Sequence, residues 1–158
     1  MDKKIVFLLS LMLTILPTVF STDLKFKDCG SQVGKILKIS TQPDVSMSGR
    51  MYVIHKGKNY TISVTFASTE TTKQAHAQVY GIVAGIPVPF PLPNTDGCNG
   101  SGISCPIMQG ETYTYSTTLP VSRLYPSVKV IVKWELFDST RDTGNKLFCF
   151  ESGFAVMS

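Results

Sequence analysis

The sequence predicts an all-β chain, folded as a β-sandwich of immunoglobulin-like size with about seven strands. Three observations predict it. Short segments of alternating apolar and polar residues are separated by Gly, Pro, Asn and Ser. After Cys29 no apolar pattern sustains a 3.6-residue period. At 158 residues the chain suits one domain with a real core. An apolar fraction of 43% excludes disorder, while a charged fraction of 16% is low against roughly 25% in soluble domains. The net charge of +4 comes from scattered basic residues with no run longer than Lys3-Lys4, so no nucleic-acid footprint is expected.

Taken in chain order, the first element is a processing signal. Lys3-Lys4 precedes an apolar run from Ile5 to Phe20, broken only by Ser10, Thr14, Pro17 and Thr18. This reads as a secretory signal peptide over residues 1–21, with Val19 and Ser21 at the cleavage site and the mature domain over 22–158. The alternative, an uncleaved anchor, would need about 20 apolar residues and no proline near the end of the run. No later stretch could span a bilayer.

Strand candidates follow. Lys35 to Ile39 is the first. Met51-Tyr52-Val53-Ile54 is the next, with His55-Lys56-Gly57-Lys58 expected to turn it as a hairpin into Tyr60-Thr61-Ile62-Ser63-Val64-Thr65-Phe66. In that last segment large apolar residues share one face and hydroxyls the other, the pattern of a half-buried strand. Lys73 to Val83, Thr112 to Leu119 and Leu147 to Val156 are further candidates. In Val128 to Phe137, Val128, Val130, Val132, Trp134 and Leu136 share a face opposite Lys129, Lys133 and Glu135.

Between two of these lies Gly85-Ile86-Pro87-Val88-Pro89-Phe90-Pro91-Leu92-Pro93, where proline alternates with large apolar residues. Every second N–H is missing, so no regular ladder is expected and the stretch must run as a sheet edge or an extended loop. Ile86, Val88, Phe90 and Leu92 then either cap one end of the core or form an apolar mouth.

Cys29, Cys98, Cys105 and Cys149 are an even set in a secreted context, which points to disulfides. Three pairings are possible. Joining Cys98 to Cys105 around their short loop and Cys29 to Cys149 across the domain is the natural choice, the long bridge removing about 4 to 5 kcal/mol of unfolded-state entropy. Zinc is disfavoured, because no Cys-x2-Cys spacing exists and neither histidine adjoins a cysteine. Asn59-Tyr60-Thr61 and Asn99-Gly100-Ser101 are glycosylation sequons, so Asn59 and Asn99 are candidate acceptors. Catalysis has little to work with. His55 falls in the expected turn, His76 on a polar strand face, and the acidic residues mostly occur singly in turns or on outward faces. No phosphate-binding glycine loop opens a helix, so neither a nucleotide cofactor nor an enzyme is expected.

Phe26-Lys27-Asp28-Cys29-Gly30-Ser31, the proline segment running into Asp96-Gly97-Cys98, Cys105-Pro106, Leu119-Pro120-Val121, Tyr125-Pro126-Ser127, Trp134-Glu135-Leu136 and Leu147-Phe148-Cys149 together resemble the Niemann-Pick type C2 family of lipid-recognition (ML) domains. The resemblance covers essentially the whole mature chain. It implies a two-sheet, seven-stranded immunoglobulin-like sandwich with an apolar cavity between the sheets, and pairing of Cys29 with Cys149 and Cys98 with Cys105. It implies a pocket mouth at Phe90, Val121 and Tyr125 with Val88 and Pro120 beside it, and a deeper wall at Tyr60, Ile62, Val79 and Trp134. Phe150 stands in that wall where the family frequently has tryptophan.

Other departures matter. Gln42 to Met47 lacks the family's third small disulfide, which predicts a looser loop before Met51. Ser63 stands where an asparagine is usually glycosylated, with Asn59 as a displaced sequon. The Cys98 to Cys105 loop is one residue longer, and Tyr80 replaces a histidine common in sterol-transfer members. The function implied is a secreted, monomeric carrier that binds and transfers a cholesterol-like sterol without a cofactor. The alternatives are an extracellular carrier of fatty acids or semiochemicals, and a lipid-presenting accessory of a membrane receptor. Transient contact with a membrane surface and a destination in extracellular fluid or the lysosomal lumen go with that reading.

Overall fold

A computed structural model describes residues 15–158. Most of the charged and apolar part of the signal-peptide reading lies outside these residues; its last part, including Ile15, Leu16, Val19 and Phe20, is exposed. All regular elements of the described residues are strands: β1 (Thr22–Asp23), β2 (Lys27–Asp28), β3 (Gly34–Gln42), β4 (Met47–Ser48), β5 (Met51–His55), β6 (Asn59–Ser68), β7 (His76–Val83), β8 (Ile86–Phe90), β9 (Thr112–Pro120), β10 (Lys129–Phe137) and β11 (Lys146–Met157). They form two sheets, β1-β3-β6-β9 and β4-β5-β11-β10-β7-β8, with β2 added to β11. The chain is an all-β, two-sheet immunoglobulin-like sandwich.

The alternation in β6 buries Tyr60, Ile62, Val64 and Phe66 and turns Thr61, Ser63 and Thr65 outward. These hydroxyls meet partners on β9: Thr61 with Thr118 at 2.7 Å, Ser63 with Ser116 at 2.7 Å and Thr65 with Thr114 at 3.1 Å. The Ser116 N–H leaves the sheet for the Ser101 carbonyl at 2.7 Å. These rows are therefore the non-hydrogen-bonded pairs of the ladder, where side chains approach most closely.

Three features differ from the sequence expectation. The turn after β5 does not make a hairpin, because β5 pairs with β4 and, in parallel, with β11, whereas β6 belongs to the other sheet. Residues 56–58 thus carry the chain from one sheet to the other. The proline segment does join a ladder, but on one side only. β8 pairs with β7 through the two-residue turn Ala84-Gly85, whose positive φ angles of 50° and 80° suit a tight hairpin. Pro87 and Pro89 oppose Ile82 and Tyr80, the positions whose missing N–H groups face away from β7. Glu135 does lie on the outward side of β10, yet it is only 5% exposed. It is held by Lys133 at 3.1 Å and Lys146 at 3.3 Å. A carboxylate so placed requires these partners.

An aromatic group lies at the centre of the contact between the sheets. Phe148 lies 5.4 Å from Phe66 and 5.8 Å from Tyr115 between ring centroids, and Trp134 lies 6.0 Å from Tyr115 and 6.3 Å from Phe150. One long seam is shut by residues 22–28. β1 pairs with β3, the Leu24 N–H binds the Ile39 carbonyl, the Ser152 hydroxyl binds the Lys25 carbonyl, and β2 pairs with β11. Disulfide Cys29–Cys149 ties β2 to β11, and Cys98–Cys105 closes a loop of the β8–β9 connection.

At the loop end of the sandwich, Glu70 is pushed up to about 7, first by a hydrogen bond with the Asp138 carboxyl, then by burial and by that group's charge. Its folded pKa lies above its ordinary value of 4.5. The native state is therefore penalised at high pH and gains stability as pH falls through 7 toward 4.5. Wild type should gain relative to Glu70→Gln between pH 8 and pH 5 in urea unfolding, and a pH-independent difference would refute the pairing.

Candidate functional site

The inner face of the larger sheet is organised in cross-strand rows. Phe90, Val79, Trp134 and Phe150 are successive partners across β8, β7, β10 and β11, and so form one row. The next row toward the β9–β10 loop is Val88, Gly81, Val132 and Ser152. The first row is heavy and sealed: Trp134 and Phe150 are 0% exposed and Val79 3%. Two of the four in the second row are small, and Val88 is 53% exposed.

Val132 is the informative residue of that second row. It shares the inner face with Trp134, and β10 is flanked by β11 and β7, so neither sheet neighbour leaves it open. It is nevertheless only partly buried, as are Val130 on the same face and Thr117 and Leu119 on the inner face of β9. Thr117 and Leu119 lie on the edge strand β9, whereas Val130 and Val132 sit on an interior strand, and it is their solvent access that points to the sheets parting here. The buried apolar side chains divide accordingly, into a main cluster containing Ile62, Val79, Trp134 and Phe150 and a small one of Tyr60, Val121 and Val156.

The rim of this cleft is built by β8 and by loop 121–125. Phe90 and Tyr125 meet edge to face at 6.3 Å and 77° across the opening. The Val121 N–H donates to the Lys58 carbonyl at 2.8 Å and its carbonyl accepts the Gly57 N–H at 2.6 Å, which joins the rim to the crossover turn. Gly57 has φ 79°, and Arg123 lies over it so closely that a Cβ there would come within 2.9 Å of the Arg123 Nε.

The sequence-predicted site residues therefore fall in three places. Val88, Phe90, Val121 and Tyr125 border the opening, with Pro120, the exposed last residue of β9, next to Val121. Ile62, Val79, Trp134 and Phe150 lie deep. Tyr60 does not join that deep group. It packs under Val121, and its hydroxyl accepts the His55 N–H at 3.0 Å. Val132, Val130, Thr117 and Leu119 were not singled out from sequence as wall residues, although the alternation around Trp134 marks two of them. Leu124, 93% exposed beside Tyr125, carried no signal in one dimension. Asn59 and Asn99 are both exposed.

Two polar surface depressions lie elsewhere. One, of about 390 Å³, runs along the free edge of β9 and is bordered by Asn94, Asp96, Ser101 and Thr117. The other, of about 320 Å³, brings His76, Asp96 and Ser139 to one wall. Those three residue types invite a nucleophilic reading. However, the Ser139 hydroxyl is bonded to the carbonyls of Arg141 and Thr143, and Asp96 accepts the Cys98 N–H at 2.9 Å. Neither is committed to the imidazole, as a catalytic arrangement requires. No cluster of metal-binding side chains occurs among the described residues.

The fold and the cleft define a class: β-sandwiches whose sheets are closed at one end and part at the other over an apolar interior. A family model of the ML domain matches residues 23–156, and the chain belongs to that family. The chain is 43% identical to NPC intracellular cholesterol transporter 2 of Bos taurus, over 89% of this chain and 90% of that protein. It is 38% identical to the transporter 2 homolog a of Drosophila melanogaster, over 84% and 87%. Among solved structures it matches a Niemann-Pick type C2 protein from the Japanese carpenter ant with a TM-score of 0.76 at 26% identity, covering 84% of this chain and 99% of that one.

If the sheets part beyond the aromatic row, Trp134→Ala and Val88→Ala should differ sharply. Loss of the buried indole should cost about 3–5 kcal/mol in chemical denaturation, whereas Val88→Ala should cost under about 0.5 kcal/mol. Comparable losses at the two positions would mean that Val88 belongs to a closed core.

Proposed function

We propose that this chain is a soluble, secreted carrier that holds a cholesterol-like sterol in the cleft between its sheets and moves it through water. The observation that carries this reading is Val132, an inward-facing residue of an interior strand that solvent can reach while Trp134, two positions on, is sealed. The similarity to intracellular cholesterol transporters supports it.

In this reading Phe90, Val121 and Tyr125, with Val88 and Pro120, form the mouth, and Ile62, Val79, Trp134 and Phe150 the deep wall. Tyr60 supports the rim from beneath. A rigid lipid losing about 400 Å² of apolar surface would gain about 10 kcal/mol before association costs, leaving micromolar to nanomolar affinity. Selectivity comes from shape, because the wall is almost wholly apolar. The Phe90 and Tyr125 rings can open by side-chain rotation alone. Residues 1–21 direct secretion and are removed, and Asn59 and Asn99 are the positions for glycans. Cargo exchange takes place at a membrane surface, where Ile86, Val88 and Leu124, 65%, 53% and 93% exposed, enter the interface beside Lys56, Lys58 and Arg123.

A fluorescent-sterol titration of the purified protein should saturate, and Phe90→Ala or Tyr125→Ala should weaken binding by about tenfold, the cost of losing an apolar ring contact. Absence of saturable binding to sterols and fatty acids alike would end the carrier reading. For the membrane step, Leu124→Ser with Ile86→Ser should slow sterol transfer between anionic vesicles and leave equilibrium affinity unchanged. Equal transfer rates would remove that surface from the mechanism.

A further inference from the structure

Gly81 contributes no side chain to the cleft wall, and nothing in the backbone asks for its absence. β7 is an interior strand held by β8 on one side and β10 on the other, and Gly81 is in register with Val88 and Val132 without a bulge in either pairing. It does not share the positive φ of turn glycines such as Gly85, so any residue type could stand there. A glycine inside a strand weakens it, because it has the most freedom to lose on folding and nothing to pack. The alternation of β7 calls instead for an apolar side chain: Ala77 and Val79, at the two preceding inward positions, are buried.

Packing does not explain the glycine either. A Cβ at Gly34 would run into the Leu147 carbonyl oxygen, and one at Gly97 would come within 2.9 Å of Ala75 and Leu136, so those two glycines are enforced by their neighbours. Outside its chain neighbours, a Cβ at Gly81 would meet a single atom within 4 Å, the Val130 Cγ2 at 3.2 Å. That contact is tight, but Val130 is itself reached by solvent and can yield by a few tenths of an ångström. The facing sheet supplies no atom within that range, so a side chain here would stand in the cleft. What the glycine leaves is a trough. Its partners Val88 and Val132 flank it two strand spacings apart, about 10 Å between backbones, and Val79 and Trp134 close its inner end.

We propose that Gly81 is a specificity-determining residue of the cleft, and that the room left by its missing side chain takes the body of a fused-ring lipid. The inference rests on the carrier reading and names the feature of the cargo that the wall selects. A single acyl chain is too slender to cover a trough of that breadth, whereas a rigid plate of fused rings lies across it from Val88 to Val132 and gains dispersion contacts along the whole strip. Close approach of a ligand to the backbone is one of the few reasons for which a strand interior keeps a glycine.

The test is Gly81→Ala and Gly81→Val, each read by urea unfolding without ligand and by titration with cholesterol and with oleate. The urea midpoint of Gly81→Ala should equal or exceed that of wild type, since the strand gains a side chain to pack. Cholesterol affinity should fall with the volume added, by about fourfold in Gly81→Ala and more than about tenfold in Gly81→Val, as methyl groups take the place of ring contacts. Oleate should lose less, so that Gly81→Val lowers the preference for cholesterol by about fivefold or more. In wild type one Gly81 α-proton stands where a Cβ would, and it should show a nuclear Overhauser contact with bound cholesterol; this arm stands even where Gly81→Val does not fold. A lowered urea midpoint in Gly81→Ala would mean that the glycine serves packing against Val130, and would overturn the inference. So would cholesterol affinity within about twofold of wild type in both variants, an equal loss for the two lipids, or absence of the Overhauser contact in the saturated complex. Failure of wild type to bind either lipid would instead bring down the carrier reading and the inference with it.

Discussion

The contact of Trp134 and Phe150 on one sheet with Tyr115 on the other, joined through Phe148 and Phe66, fixes the distance between the sheets, and much of the molecule follows from where that contact sits. Aromatic rings at these separations hold two inner faces at the usual spacing of packed sheets. The adjacent row offers Gly81 and Ser152 in place of rings, so nothing there is large enough to carry the contact onward. The cleft is thus a consequence of side-chain bulk ending after one row. It does not need a special backbone.

The remaining devices keep that opening from collapsing or being misused. Residues 22–28 stitch the sheets along one seam by hydrogen bonds to both, so the parting is confined to the opposite corner. The alternating prolines leave the outer edge of β8 without donors at Pro87 and Pro89, and a neighbouring strand cannot add there. An exposed apolar edge that could pair with other chains would be a liability in a protein that displays Ile86 and Val88 to water. The paired hydroxyls of β6 and β9 serve the outer face of the other sheet similarly, as polar groups already partnered within the ladder.

Legibility varied with the range of the interaction. The strand faces of β6 and β10 were readable because alternation is local, whereas Val121 and Tyr125 came into view only through the family resemblance. The cysteine spacing left three pairings open, and the structure joins Cys29 to Cys149 and Cys98 to Cys105. The turn at residues 56–58 was misread as a hairpin because Gly57 between lysines looks the same whether the chain returns to its own sheet or crosses to another. Glu135 was read only as outward-facing, and its burial was not legible, since its lysine partners are two residues away on its own strand and eleven away on β11. Tyr60 was assigned to the deep wall, but the register of β6 against β9 sets it opposite Leu119, near the rim.

By itself the sequence determined the fold class, the exclusion of the proline segment from a sheet interior and the excess of apolar side chains over what a closed sandwich needs. Each of these depends on residues within one strand or turn, where periodicity and the missing proline N–H act directly. Only the tertiary structure decided which inward-facing residues are buried and which are reached by water, and which rings meet across the sheets. Those facts depend on what the facing sheet places opposite each residue, and no spacing along one strand contains that information.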